Sequence, residues 1–118
     1  MNEQPDVLDQ AVVAELRDSV GGDEEFVKEL VAAYLAESPG YLEAMAEAAM
    51  AGDAAAVVRP AHTVKSSSAA LGALRLAATC KQIEFAAREG RVDQAGIHEA
   101  RSLWAETIAA LAAAGLTE

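Results

Sequence analysis

Apolar residues recur every three or four positions along most of this chain, and most of the runs that they form end at a glycine. This spacing puts the apolar side chains on one face of an α-helix, because the helix turns once per 3.6 residues. Ala is abundant, whereas Val and Ile are few and scattered, which favours helix over strand. The sequence therefore predicts an all-α fold.

The boundaries of the helices follow from glycine stops and from aspartates in N-cap positions. Long amphipathic helices joined by short connections are typical of antiparallel bundles. We therefore expect an antiparallel four-helix up-down bundle with a short N-terminal lid helix. The predicted helices span Asp9–Val20, Asp23–Ala51, Asp53–Leu71, Leu74–Glu89 and Asp93–Ala113.

Pro39 interrupts the longest helical pattern without breaking its spacing, so we predict one long helix kinked at Pro39 rather than two helices. In the last helix the predicted buried side chains are Leu103, Trp104, Ile108 and Leu111. In the long helix the predicted apolar stripe comprises Phe26, Leu30, Tyr34, Tyr41, Met45 and Ala49. The predicted core stripe of the third helix comprises Val57, Ala61, Val64, Ser68 and Leu71, and that of the fourth helix comprises Leu76, Cys80, Ile83 and Ala87.

The chain of 118 residues, 53% of them apolar, is the size of one domain, which we place at residues 9–118 after a flexible tail over residues 1–8. No run reaches the roughly 18 apolar residues of a membrane span, and the polar start does not resemble a signal peptide. The single cysteine, Cys80, favours a reducing, cytoplasmic location. A polar exterior suggests a monomer.

Charge is unevenly distributed along the chain. The net charge of −10 argues against nucleic acid or an anionic membrane as the main partner. Between Arg59 and Arg91, however, six basic residues outnumber two acidic ones, a local charge of +4. This basic segment indicates either a docking site for an acidic or phosphorylated partner or ordinary variation of a solvated surface.

His62 lies on the flank of the apolar stripe of the third predicted helix, about 100° from Ala61. Lys65 follows one turn later on the same flank, and beyond it come only small side chains, Ser66 and Ala69. A bulky partner could therefore reach the imidazole, and the lysine could neutralise a phosphoryl group placed on it. A lone histidine on a helix is otherwise usually a surface or packing residue.

Glu84 is expected to face His62. If the chain reverses near Gly72, His62 lies about ten residues before the turn and Glu84 about eleven residues after it, at similar heights on antiparallel helices. A carboxylate that accepts from one imidazole nitrogen leaves the other nitrogen as a nucleophile. Glu84 could instead simply pair with Arg88 or Lys81 through helical spacing.

The segment A-H-T-V-K-S-S-S-A-A-L-G-A, from Ala61 to Ala73, resembles the phosphorylation motif of histidine phosphotransfer (HPt) domains, roughly A-H-x-L-K-G-S-S-x-x-L-G-A. This resemblance implies that His62 is the phosphoryl acceptor, that Lys65 balances the phosphoryl charge and that Glu84 orients the histidine. In the family pattern a glycine at the position of Ser66 leaves room for the incoming partner, and Ser66 replaces that glycine here. The expected access and docking residues are Ser66, Ala69, Arg59 and Gly72.

The resemblance also implies a mechanism in which the protein carries a phosphoryl group and is not itself an enzyme. Such a carrier takes the group from the aspartyl phosphate of a receiver domain, often in a hybrid kinase, and passes it to another receiver. The magnesium ion then belongs to the receiver, so that no cofactor or metal is expected on this chain. In agreement, no nucleotide-binding motif is present.

Two other function classes are weighed against this one. The first is a helical adaptor that docks receiver domains without phosphotransfer, an alternative that Ser66 favours. The second is a metal-dependent hydrolase, which would need several inward His or carboxylate ligands. His62 and His98 lie far apart in sequence and no Glu-x-x-His pair is present, so we consider a metal site improbable.

Overall fold

Aspartate side chains cap the start of four of the helices, because their carboxylates accept hydrogen bonds from backbone N–H groups that have no partner within the helix. Asp23 accepts from the N–H of Phe26, for example, and Asp53 from that of Ala56, both at 3.1 Å. The computed structural model describes residues 6–117, in which there are five helices and no strand. The prediction of an all-α fold is thus confirmed. The helices are α1 (Gln10–Ser19), α2 (Glu24–Met50), α3 (Ala54–Ala70), α4 (Leu74–Arg88) and α5 (Gln94–Ala113).

The long helices contact one another in a closed sequence: α2 packs on α3, α3 on α4, α4 on α5 and α5 on α2. The apolar stripes predicted for α3 and α4 are confirmed, since every member of both is buried. Apart from Ser68 and Leu71, the members of these two stripes belong to the main core, to which α2 and α5 also contribute. The stripe of α3 comprises Val57, Ala61, Val64, Ser68 and the adjoining Leu71, and that of α4 comprises Leu76, Cys80, Ile83 and Ala87.

α2 is continuous through Pro39, so the prediction of one long helix is confirmed. Its predicted stripe is partly wrong: Phe26 is 43% exposed, and Val27 and Val31 are fully buried instead. These valines lie one residue further round the helix than Phe26 and Leu30, and they pack in a second cluster with α1.

In α5 the predicted burial of Ile108 is also wrong. Ile108 is 40% exposed, and the neighbouring Thr107 is fully buried in its place. Burial of this hydroxyl is tolerated because it donates to the carbonyl of Leu103 at 2.7 Å.

The packed part of the chain begins before the predicted boundary at residue 9. Leu8, which belongs to the predicted flexible tail, is 3% exposed and packs in the second cluster with Val13 and Leu116, where its apolar side chain is removed from water. Residues 1–5 of that predicted tail lie outside the described residues. None of the helices described is long and apolar enough to cross a membrane.

Candidate functional site

His62 lies on the exposed side of α3, about 100° round the helix from the buried Ala61. Its side chain is 53% exposed. Arg59, Ser66 and Ala69 are exposed on the same face, at positions that recur every three or four residues. The structure therefore places three of the four predicted access residues beside the histidine, and only small side chains follow it toward the C-terminal end of α3.

Glu84 projects from α4 toward this face. Its carboxylate Oε2 lies 3.1 Å from Nδ1 of His62, although the Glu84 side chain is only 7% exposed. The short turn between α3 and α4 fixes the register of the two helices, which is why counting residues from Gly72 located this pair. The structure thus brings Glu84 and His62 together.

Two cations share the Glu84 carboxylate with the histidine. Lys65 Nζ lies 2.7 Å from Oε1. Arg88 donates to Oε2 through both Nε at 2.9 Å and Nη2 at 2.7 Å. Lys65 was expected to face a phosphoryl group on His62, but in this structure it is paired with Glu84. Helical spacing predicts Arg88 as a partner of Glu84, but it does not indicate that Arg88 and His62 share one oxygen.

The protonation state of Glu84 follows from these contacts. Burial alone would raise the pKa of this carboxyl, but hydrogen bonds from Lys65, Arg88 and His62 outweigh desolvation and lower the pKa from 4.5 to about 2. Glu84 is therefore ionised at neutral pH and can only accept hydrogen bonds.

The ionised carboxylate decides which imidazole nitrogen of His62 carries the proton. Because Oε2 has no hydrogen to give, Nδ1 must donate to it. In the neutral ring the lone pair then resides on Nε2, the nitrogen on the far side of the ring from Glu84. The site can thus present a nucleophilic nitrogen at the surface of α3.

Gly72 does not belong to the exposed face. It is buried at the turn between α3 and α4 with a φ of +86°, and a Cβ placed there would lie 3.0 Å from the carbonyl oxygen of Asp9. The N–H of Asp9 donates to the Gly72 carbonyl at 2.8 Å. Of the four predicted access and docking residues, Gly72 is thus the one that the start of α1 covers, and the glycine permits the turn and this close approach.

Other reactive groups in the described chain are not arranged as a second site. Burial raises the pKa of the Cys80 thiol to about 12, so it stays protonated at neutral pH. Among residues 6–117, no group of three or more His, Cys, Asp or Glu side chains is placed to hold a metal ion.

Comparison with known proteins gives a consistent result. The family model of the Hpt domain matches residues 29–114. A crystal structure of histidine-containing phosphotransfer protein B (HptB) from Pseudomonas aeruginosa PAO1 aligns with a TM-score of 0.78 and 30% identity, over 88% of this chain and 90% of that one. No curated protein matches the chain. The chain therefore belongs to the Hpt domain family, the histidine phosphotransfer proteins of phosphorelays.

Proposed function

We propose that this protein is a phosphoryl carrier in which Nε2 of His62 accepts a phosphoryl group from the aspartyl phosphate of a receiver domain and later passes it to a second receiver. The observation that carries the proposal is the contact between an ionised, buried Glu84 and Nδ1 of an exposed His62. This contact supports a ring with a fixed tautomer and an accessible nucleophilic nitrogen.

The transfer step balances without a cofactor on this chain. The Nε2 lone pair attacks phosphorus, the bond from phosphorus to the aspartyl oxygen breaks, and the aspartate leaves as a carboxylate. Nδ1 keeps its proton, which remains hydrogen-bonded to Glu84, and the positive charge gained by the ring is offset by that carboxylate. Transfer to the next receiver is the reverse reaction on a different aspartate, and Mg²⁺ would be held by the receiver.

The docking face for the receiver comprises two adjoining exposed surfaces. One is the row Arg59, His62, Ser66 and Ala69 on α3, and the other is the row Lys81, Phe85 and Arg88 on α4. Phe85 is 64% exposed, unusual for a large apolar side chain, and it has basic residues one turn away on either side. A basic surface with an apolar centre is complementary to an acidic partner with an apolar contact.

Ser66 is part of this proposal because its side chain is exposed one turn after His62, where the family pattern has glycine. The hydroxymethyl group is small, so we expect a receiver aspartate still to reach Nε2.

The proposed carrier is a monomer, and its four long helices run antiparallel in an up-down bundle. The closed sequence of contacts from α2 to α5 supports this arrangement of the helices.

The test is phosphoryl transfer from a panel of labelled, phosphorylated receiver domains. Wild type is expected to acquire acid-labile, base-stable label and His62→Gln none, whereas His98→Gln, which changes an exposed histidine on α5, should be labelled like wild type. Absence of label from every receiver, while the folded protein still binds one of them, would contradict the carrier and favour an adaptor that docks receivers without chemistry.

A further inference from the structure

The Glu84 carboxylate is shared unequally between its two cations. Oε2 accepts from Nε and Nη2 of Arg88 as well as from His62, whereas Oε1 has Lys65. The planar guanidinium therefore contacts the carboxylate through two donors, and the ammonium contacts it through one.

This arrangement bears on how Lys65 could serve a phosphoryl group. Lys65 is on the same helix as His62, one turn later, and its flexible stem lets the ammonium move toward the histidine. To do so it must leave Oε1. A buried carboxylate that loses its only cation is strongly destabilised, so the move is possible only if a second cation remains on Glu84.

We propose that Arg88 is a positioning residue that anchors Glu84 through Oε2, so that Lys65 can exchange from Glu84 to a phosphoryl group on His62. The exchange rests on the proposed function, whereas the anchor concerns the unphosphorylated protein. Arg88 keeps Glu84 ionised and in contact with Nδ1 throughout, and Lys65 divides its time between the carboxylate and the phosphoryl oxygens.

The opposite assignment, in which Arg88 moves and Lys65 stays, is disfavoured by position. Arg88 follows Glu84 by one turn on α4, so the pair is supported by helical spacing that does not change when His62 is modified. Moving Arg88 would also break two hydrogen bonds to one oxygen, whereas moving Lys65 breaks one contact.

The anchor is tested without any phosphorylation, by NMR of the Arg88 Nε–Hε and His62 Nδ1–H groups. In Lys65→Gln both resonances are expected to stay at their wild-type positions, because Arg88 alone holds the carboxylate. In Arg88→Gln the Nδ1–H resonance is expected to move, and Arg88→Lys should restore it in part. A shift of both resonances in Lys65→Gln would overturn the anchor, whether or not the protein carries phosphoryl groups.

The exchange is tested with phosphoramidate, a small donor that needs no receiver, and with 13C-labelled lysine. On phosphorylation the Lys65 Cε–Hε resonance of the wild type is expected to move while Arg88 Nε–Hε does not. In Arg88→Gln the Lys65 shift should fall to less than half, and in the control Arg91→Gln, an exposed residue paired with Glu89, it should be unchanged. Movement of Arg88 with Lys65 fixed would overturn the exchange.

A double-mutant cycle on the rate of labelling by phosphoramidate gives a second, independent readout. Lys65→Gln should slow labelling by about tenfold in the wild-type background but by only about twofold in Arg88→Gln, where Lys65 is already retained by Glu84. Equal effects in both backgrounds would contradict the exchange. Failure of the wild type to take any label at His62 from phosphoramidate would overturn the exchange and would leave the anchor as measured above, whereas the carrier function is decided separately by transfer from phosphorylated receivers.

Discussion

At the scale of single residues, the site depends on one buried carboxylate. Glu84 is hydrogen-bonded to His62 and Arg88 and forms an ion pair with Lys65, and these contacts differ from ordinary surface salt bridges, which contribute little to stability because solvent screens them. Here the acceptor is 7% exposed, so its hydrogen bonds are not screened in the same way. The same contacts that orient His62 therefore also stabilise the contact between α3 and α4.

Glu84→Gln is expected to change how stability depends on pH. The folded pKa of Glu84, about 2, is below its ordinary value of 4.5, so its contribution is complete above pH 4.5 and is lost as the pH falls toward 2. Urea unfolding, monitored by circular dichroism, measures the free energy of unfolding of both proteins. The difference in this free energy between wild type and Glu84→Gln should shrink by about 2 kcal/mol from pH 6 to pH 3.

The exposed Glu99→Gln on α5 is the control for this measurement, because it removes one of the 19 acidic side chains of the chain and leaves the contacts of Glu84 intact. Its difference from wild type should vary little with pH. A Glu84→Gln difference that stays constant down to pH 3 would show that the carboxylate is not held ionised by its neighbours.

At the scale of helices, the sequence predicts which face of a helix is buried only where the helix has a single row of apolar residues. α3 and α4 each have one apolar row, and the sequence predicted both correctly. α2 has two adjacent rows, with Phe26 and Leu30 in one and Val27 and Val31 in the other. Helical spacing fits both rows equally, and only the position of α1 and the second cluster decides which one is buried.

The outer face of α4 leads to a prediction about binding. The apolar ring of Phe85 is exposed and does not pack in the core. Because aromatic residues near the centre of an interface often supply much of its binding energy, Phe85→Ala should weaken binding to a cognate receiver by about tenfold. Isothermal titration calorimetry measures the change. Ile108→Ala, which truncates an exposed apolar residue on α5, is the matched control and should bind like wild type. Equal affinity of Phe85→Ala and wild type would remove α4 from the docking face.

At the scale of the whole molecule, the sequence located the pair of His62 and Glu84 but not the full set of contacts around it. The pair was predictable because a short turn at Gly72 fixes the register of two adjacent helices. The pairing of Lys65 with Glu84 depends on side-chain conformation, and the contact of Asp9 with Gly72 joins segments 63 residues apart. Neither follows from periodicity, which describes each helix separately.

The two apolar clusters are joined by Trp104, which is half-buried and packs against both. Its ring meets that of Tyr34 edge to face, with centroids 5.2 Å apart, and the Tyr34 hydroxyl is hydrogen-bonded to buried Ser68 of α3 at 2.7 Å. α2, α3 and α5 are thus linked at one point where the clusters meet. A disturbance in either cluster should therefore be transmitted to the other.

The chain is accordingly expected to unfold in one cooperative transition. Because Trp104 is the only tryptophan, its fluorescence reports the junction of the clusters, and far-UV circular dichroism reports all helices. Both signals should give the same urea midpoint. Val13→Ala, at a fully buried position of α1, should lower the free energy of unfolding by about 2 kcal/mol and should therefore lower both midpoints equally. Met50→Ala, at an 89% exposed position, should leave them unchanged. Separate midpoints for the two signals in Val13→Ala would mean that the second cluster unfolds on its own and that Trp104 does not couple it to the helices carrying His62 and Glu84.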